Sequence, residues 1–129
     1  MKELEDAVRT YLQERKWDEL RPGDIAKSIS IEASELLELF QWTNPSLEEV
    51  RKDSKKSEEI KKELADVLIY CLDMSVLLGF DTSEVIEQKL EQIKQKYPAH
   101  LFQNREHGVD AGSEDAYWNI KKKHRASGN

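Results

Sequence analysis

Two pairs of carboxylates have the spacing of a metal-binding site. Glu32 and Glu35 form the first pair, and Glu63 and Asp66 form the second, each within a largely apolar run. In a helix, residues three apart share one face and are separated by roughly 4.5 Å along the axis. Acids on an apolar face destabilise the fold unless a positive charge neutralises them, and no Lys or Arg lies within either pair. Because hard divalent cations prefer carboxylate oxygens, the pairs predict a site for such an ion.

A solvated helix face is the alternative interpretation. Glutamate is a strong helix former, and acidic residues are mostly exposed, so either pair alone favours a solvated face. Two such pairs, each flanked by Leu, Ile, Val or Phe on both sides, are harder to explain in that way. Together they favour a metal site.

Other common site chemistries do not match the chain. A ferritin-like di-iron site needs Glu-x-x-His on two helices, whereas all three histidines here follow residue 99. One cysteine and scattered histidines do not make a zinc site, and no Gly-rich phosphate loop occurs. Cys71 lies in an apolar helical run, where we expect a small buried side chain rather than a nucleophile. Carboxylates alone point to Mg²⁺ or Mn²⁺ and to phosphoryl or nucleotidyl substrates.

Length and composition predict one helical domain with a modest core. The chain has 129 residues with only five Gly and three Pro, and 36% of the residues are charged. A net charge of −6 argues against a nucleic-acid partner, which would require a basic surface. With a single cysteine, no long apolar run and no basic leader, we expect a cytoplasmic protein that does not enter a membrane.

Apolar periodicity predicts an all-α bundle of four long helices. These cover residues 2–16, 24–42, 57–78 and 81–97, with shorter helices after Ser46 and over 114–124. We predict Asp24 as an N-cap, a capping box at Ser46 and a helix stop at Gly79, with 51–59 as a surface connection. The third helix is apolar over more than half its circumference, so we expect it to be central and the chain to self-associate. Residues 99–113 read as a loop.

Two aromatic residues accompany the acidic pairs. Trp42 ends the first acidic helix, and Tyr70 lies one turn beyond Asp66 on the same side. Either side chain could stack on a base or pack at the rim of the core, and the residues alone leave both interpretations open.

With these motifs laid out, the chain resembles the MazG-like, all-α nucleoside triphosphate pyrophosphohydrolases, and among them the small single-domain dCTPase type. The motifs that carry the resemblance are Ser30–Trp42 with its Phe-Gln-Trp end, Glu63–Tyr70, Lys89 and Lys96-Tyr97-Pro98. The resemblance runs from about Arg15 to Leu101. It implies a helical domain over residues 1–101, a C-terminal loop and short helix or tail over 102–129, and assembly as a dimer or a dimer of dimers.

The resemblance also implies an activity and a set of site residues. The activity is Mg²⁺-dependent hydrolysis of a (deoxy)nucleoside triphosphate to the monophosphate and pyrophosphate, as in nucleotide-pool cleaning. By position, the metal ligands are Glu32, Glu35, Glu63 and Asp66, and the substrate-binding residues are Trp17, Trp42, Tyr70, Lys89 and Tyr97. The catalytic base that activates water is Glu35 or Glu38, and the sequence leaves this choice open.

One position departs from the family pattern. The family often has Asn four residues after the lysine, where this chain has Ile93, so the preferred base and sugar stay undetermined. The basic run Lys121–Arg125 is expected to be a solvated end, with a phosphate clamp as the alternative. Two other functions stay open: a non-catalytic helical interaction protein, and a hydrolase of another pyrophosphate-linked metabolite.

Overall fold

The computed structural model describes residues 1–102 and 115–128, and these residues contain helices and no strand. The helices are α1 (Lys2–Glu14), α2 (Pro22–Glu38), α3 (Leu47–Lys52), α4 (Ser54–Leu78), α5 (Thr82–Lys96) and α6 (Asp115–Ala126), with a 3-10 turn at Ala99–Leu101. The all-α class is confirmed. The four predicted long helices correspond to α1, α2, α4 and α5.

The chain divides into two compact units, Met1–Ser83 and Glu84–Asn129. Most of α5 belongs to the second unit, so the arrangement of four helices in one bundle stays a prediction. The domain boundary after residue 101 also stays a prediction. The predicted loop over 99–113 lies mostly outside the described residues.

Helix α4 is the centre of the first unit. It packs against α1, α2 and α3, as its broad apolar surface predicted. The small core lies between α1 and α4 and consists of Val8, Leu12, Leu72 and Val76, with Leu77 packed against it. Ile25 of α2 is also buried. Helix α4 therefore holds α1 and α2 in place along its length.

Local capping groups set the helix ends. Ser46 and Glu49 form the predicted capping box, in which each side chain binds the other residue's backbone N–H. Gly79 ends α4 in the left-handed conformation, with φ at 73°, which glycine adopts without a steric penalty.

Three predicted boundaries are wrong. Helix α2 ends at Glu38 and not at Trp42, so Trp42 lies four residues beyond the helix. Pro22 occupies the first turn of α2 and Arg21 is its N-cap, so Asp24 lies inside the helix. The predicted surface connection over 51–59 is largely helical, because the Asp53 side chain accepts a hydrogen bond from the Lys56 N–H at 3.0 Å and starts α4 at Ser54. The Lys56 ammonium group also donates to the Leu39 carbonyl, which fixes the start of α4 beside the end of α2.

A buried polar contact joins α1 to the segment after α4. The Glu5 carboxylate accepts a hydrogen bond from the Thr82 N–H at 2.9 Å, and the Thr82 and Ser75 hydroxyl groups are 2.7 Å apart. The hydrogen bonds from Thr82 hold the pKa of Glu5 below its ordinary value. This contact fixes the chain where it leaves α4.

Cys71 is exposed, which corrects the expectation of a small buried side chain. Its neighbour Leu72 points about 100° further round α4 and is buried in the core. The apolar run predicted a buried helix, but only one side of α4 is covered by α1.

Candidate metal site and adjoining cavity

Three of the four predicted metal ligands meet between α2 and α4. Carboxylate oxygens of Glu32, Glu63 and Asp66 lie within 4.8 Å of one another, and all three residues are half-buried. The packing of α2 on α4 brings the two acidic pairs together. Oxygens bound to one Mg²⁺ at about 2.1 Å lie roughly 3 to 4 Å apart, so small side-chain rotations would bring this cluster to the spacing that a small divalent cation requires.

Glu35 lies beside this cluster but outside the group of three. It is exposed, and its carboxyl group shares a hydrogen bond with Glu32. That hydrogen bond, partial desolvation and the charges of Glu35, Asp66 and Glu63 raise the pKa of Glu32 above its ordinary value. The raised pKa reflects negative charge concentrated in one place, which a bound cation would neutralise.

Within the described residues, the cluster has no basic partner. Among residues 1–102 and 115–128, no Lys or Arg forms an ion pair with Glu32, Glu63 or Asp66, whereas the observed pairs join exposed groups elsewhere. An example of the exposed pairs is Lys52 with Glu48 at 2.7 Å. The described part of the chain therefore leaves the cluster open to neutralisation by a bound cation. Glu38, the other candidate base, is exposed at the last position of α2.

A cavity of about 590 Å³ adjoins the carboxylate cluster. Asp66 lines it together with the aromatic side chains Tyr11, Trp17 and Tyr70, and aliphatic side chains of α1 and α4 cover most of the remaining wall. Trp17 contacts Tyr11 edge to face, with ring centroids 5.8 Å apart. Aromatic faces beside a carboxylate site provide a stacking surface for a flat ring next to a charged group.

The cavity also contains an acidic residue that the sequence analysis did not select. Asp73 lines it, is 4% exposed, and has an Oδ1 atom without a hydrogen-bond partner in the described part of the chain. Burial raises the pKa of this carboxyl group. The sequence indicated this residue by its position between Leu72 and Met74, because acidic residues are seldom found among large apolar residues in a central helix.

The remaining predicted residues have different surroundings. Trp42 is 87% exposed, so it does not pack in the core. In the second unit, Lys89 and Lys96 line a cavity of about 540 Å³ together with Ile93 and His124.

Tyr97 lies in an aromatic cluster of the second unit. It stacks on Tyr117 with centroids 5.3 Å apart and contacts Phe102 edge to face. The basic run over 121–125 is part of α6, where Lys122, Lys123 and Arg125 are exposed, as expected of a solvated end. Lys121 lies over the Tyr117 and Trp118 rings.

The chain is similar to known proteins in sequence. The family model described as "MazG-like family" matches residues 27–110. Mouse dCTP pyrophosphatase 1 is 31% identical over 105 residues and human dCTP pyrophosphatase 1 is 30% identical over 103 residues, in both cases over 76% of this chain. The chain spans 61% of the length of these curated relatives.

A solved structure is also similar. A pyrophosphatase from Archaeoglobus fulgidus is 40% identical, with a TM-score of 0.64 over 76% of this chain and 92% of that one. No helix in residues 1–102 or 115–128 combines the length and apolar character needed to cross a membrane. The family match includes both acidic pairs and covers well over half of the sequence, so the chain belongs to the MazG-like family.

Proposed function

We propose that this chain catalyses Mg²⁺-dependent hydrolysis of (deoxy)nucleoside triphosphates to the monophosphate and pyrophosphate. The observation that carries the proposal is the convergence of Glu32, Glu63 and Asp66 beside an aromatic-lined cavity that Asp66 also lines. Such a site places a charged phosphate group and a flat base next to each other. The similar dCTP pyrophosphatases make dCTP the first substrate to test.

The three clustered carboxylates hold the metal ion in this proposal. Glu35 completes the set or acts as the general base, since it is hydrogen-bonded to Glu32 and open to water. Glu38 is the alternative base. Bound Mg²⁺, or Mn²⁺ in its place, would neutralise charge on phosphate oxygens and lower the pKa of the attacking water.

The aromatic residues bind the nucleoside. Trp17 and Tyr70 offer ring surfaces inside the cavity, and the exposed Trp42 is available to close over a bound base. Lys89 and Tyr97 contact the phosphates, an assignment that rests on the family resemblance. A lysine near the departing pyrophosphate would stabilise its negative charge.

We also propose that the chain assembles as a dimer or a dimer of dimers. On α4 the aliphatic residues Leu64 and Leu68 are exposed, and on α5 Val85, Ile86 and Leu90 are exposed. Exposed apolar side chains in such numbers favour burial in a subunit interface. Light scattering after gel filtration measures the mass in solution. The cytoplasmic location and the absence of a nucleic-acid partner stay predictions from composition.

A substrate panel tests the proposed activity. Purified protein is incubated with Mg²⁺ and canonical or modified nucleoside triphosphates, and monophosphate and pyrophosphate are quantified together. We expect equal amounts of the two products from the preferred substrate and a loss of at least about a hundredfold in Glu63→Ala and Asp66→Ala. Full rates in either variant would refute the proposed metal site.

The same experiment separates the other functions. Orthophosphate instead of pyrophosphate would indicate a different bond cleavage. If no triphosphate is hydrolysed, other pyrophosphate-linked metabolites are the next substrates to test. If neither activity nor a nucleotide-dependent rise in melting temperature is found, the non-catalytic helical interaction protein becomes the better interpretation.

A further inference from the structure

Asp73 is a buried carboxyl group whose hydrogen-bonding capacity is not used within the described fold. It lies in α4 between Leu72 and Met74 and is 4% exposed, and its Oδ1 atom has no partner among the residues that the structure describes. A buried acceptor without a donor destabilises the folded state. Burial raises the pKa of this carboxyl group above its ordinary value. Asp73 therefore contributes little to the stability of the folded protein.

The position of Asp73 relates it to the proposed substrate. Asp66 and Asp73 line the same cavity and are two helical turns apart on α4, about 10 Å along the axis. Tyr70 lies between them on α4. Tyr11 of α1 and Trp17, which follows α1, also line the cavity. This spacing is comparable to the distance between the 5′ oxygen of a nucleotide and the far edge of its base.

We propose that Asp73 determines base specificity by accepting a hydrogen bond from the exocyclic amino group of the substrate base, with cytosine as the preferred base. This inference rests on the proposed nucleotide hydrolysis. With the phosphates at the Asp66 end and the base on the aromatic side chains, the 4-amino group of cytosine is directed toward the Asp73 end of the cavity. The amino group is a donor, and it would supply the partner that Oδ1 lacks.

Uracil tests this assignment because it differs from cytosine at the same edge. It carries a carbonyl oxygen in place of the amino group, so this acceptor would face the Asp73 oxygen with no donor between them. Sites that hydrogen-bond a substrate group discriminate strongly against an analogue that lacks it, because the protein group is left unpaired. We therefore expect dCTP to be preferred over dUTP, and the preference to depend on Asp73.

The test compares dCTP with dUTP in the Mg²⁺-loaded wild-type protein, in Asp73→Leu and in Asp73→Asn. We expect Asp73→Leu to lower the dCTP to dUTP ratio of kcat/KM at least tenfold, mainly through dCTP. Asp73→Asn, which keeps an acceptor oxygen, should retain more of the ratio than Asp73→Leu. The matched control is Glu58→Gln, which changes an exposed carboxylate of the same helix and should leave the ratio unchanged.

A binding measurement separates this inference from the proposed activity. Calorimetry with the non-hydrolysable α,β-imido analogues of dCTP and dUTP gives the ratio of Kd values without turnover. A merely structural role of Asp73 would change both affinities together, whereas the proposal requires the ratio to change. Equal ratios in wild-type protein and Asp73→Leu, or a wild-type preference for dUTP, would overturn the assignment. If wild-type protein hydrolyses no triphosphate, the proposed activity fails, and the ratio of Kd values still decides the role of Asp73.

Discussion

Substitution of Glu63 by glutamine tests whether the carboxylate cluster binds Mg²⁺ before any substrate is added. The cluster places three carboxylate oxygens within 4.8 Å, and the variant keeps the size of the side chain while it removes one charge and weakens one ligand. Ligand binding to the folded state stabilises it in proportion to the logarithm of the ligand concentration. The melting temperature therefore reports metal binding directly.

The expected shifts follow from the size of the chain. At a Mg²⁺ concentration about ten times the dissociation constant, binding stabilises the fold by about 1.4 kcal/mol. For 129 residues, an unfolding entropy of about 2.1 cal/mol/K per residue converts this to about 5 °C. A tenfold loss of affinity in Glu63→Gln reduces the shift to about 1.5 °C at the same Mg²⁺ concentration. Without Mg²⁺ the variant should melt no lower than wild type, since one of three adjacent negative charges is removed.

Differential scanning calorimetry across a Mg²⁺ titration provides the measurement. Glu3→Gln is the matched control, because it changes an exposed glutamate of α1 outside the cluster and should keep the full shift. A full shift in Glu63→Gln would show that the ion binds elsewhere. An absent shift in wild-type protein throughout the titration would refute metal binding by the cluster itself.

Three further predictions concern the substrate rim, the polar contact after α4 and the core. Trp42→Ala should raise KM more than it lowers kcat, because an exposed ring contributes to binding in both the ground and transition states; steady-state kinetics showing the reverse would place Trp42 in the chemistry. Hydrogen bonds from Thr82 lower the pKa of Glu5 in the folded state. The ionised Glu5 therefore stabilises the fold fully at a pH above its pKa in the unfolded chain, which is near 4.5, and this stabilisation is lost as the pH falls through the folded-state pKa. Urea unfolding of wild type and Glu5→Gln should therefore differ at pH 7 and converge in acid, and an equal difference at both pH values would contradict this. Leu12→Ala should lower the free energy of unfolding, measured in urea, by about 2 to 5 kcal/mol, since Leu12 is 1% exposed. Leu47→Ala, at a position that is 75% exposed, should change it by no more than about 0.5 kcal/mol. Similar losses in the two variants would contradict the assigned core.

Features that depend on neighbouring residues could be predicted from the sequence. The capping box at Ser46 and the end of α4 at Gly79 are determined by groups a few residues apart, and both are confirmed. The start of α4 was predicted too late because the cap at Asp53 precedes a charged segment that looked like a connection. The spacing of the two acidic pairs also predicted one site for all four carboxylates, and three of the four meet in it, with Glu35 beside them.

Features that depend on which side of a helix is covered could not be predicted in the same way. Periodicity marked α4 as apolar on more than one side, but it did not show that α1 would cover Leu72 and leave Cys71 exposed. Nor did it show that Asp73 would be buried in a cavity wall. Both outcomes depend on the packing of α1 against α4, which is a long-range property.

Because α4 is continuous, the thermal stability of the core and the arrangement of the carboxylates depend on the same helix. One unbroken helix of 25 residues carries Glu63 and Asp66 in its middle and Leu72 and Val76 in the core near its end. We therefore expect a substitution that weakens the packing of Leu72 and Val76 to reduce the order of Glu63 and Asp66 as well. Because Val8 and Leu12 of α1 complete that core, substitutions on α1 that improve its packing would also hold the two acids more firmly.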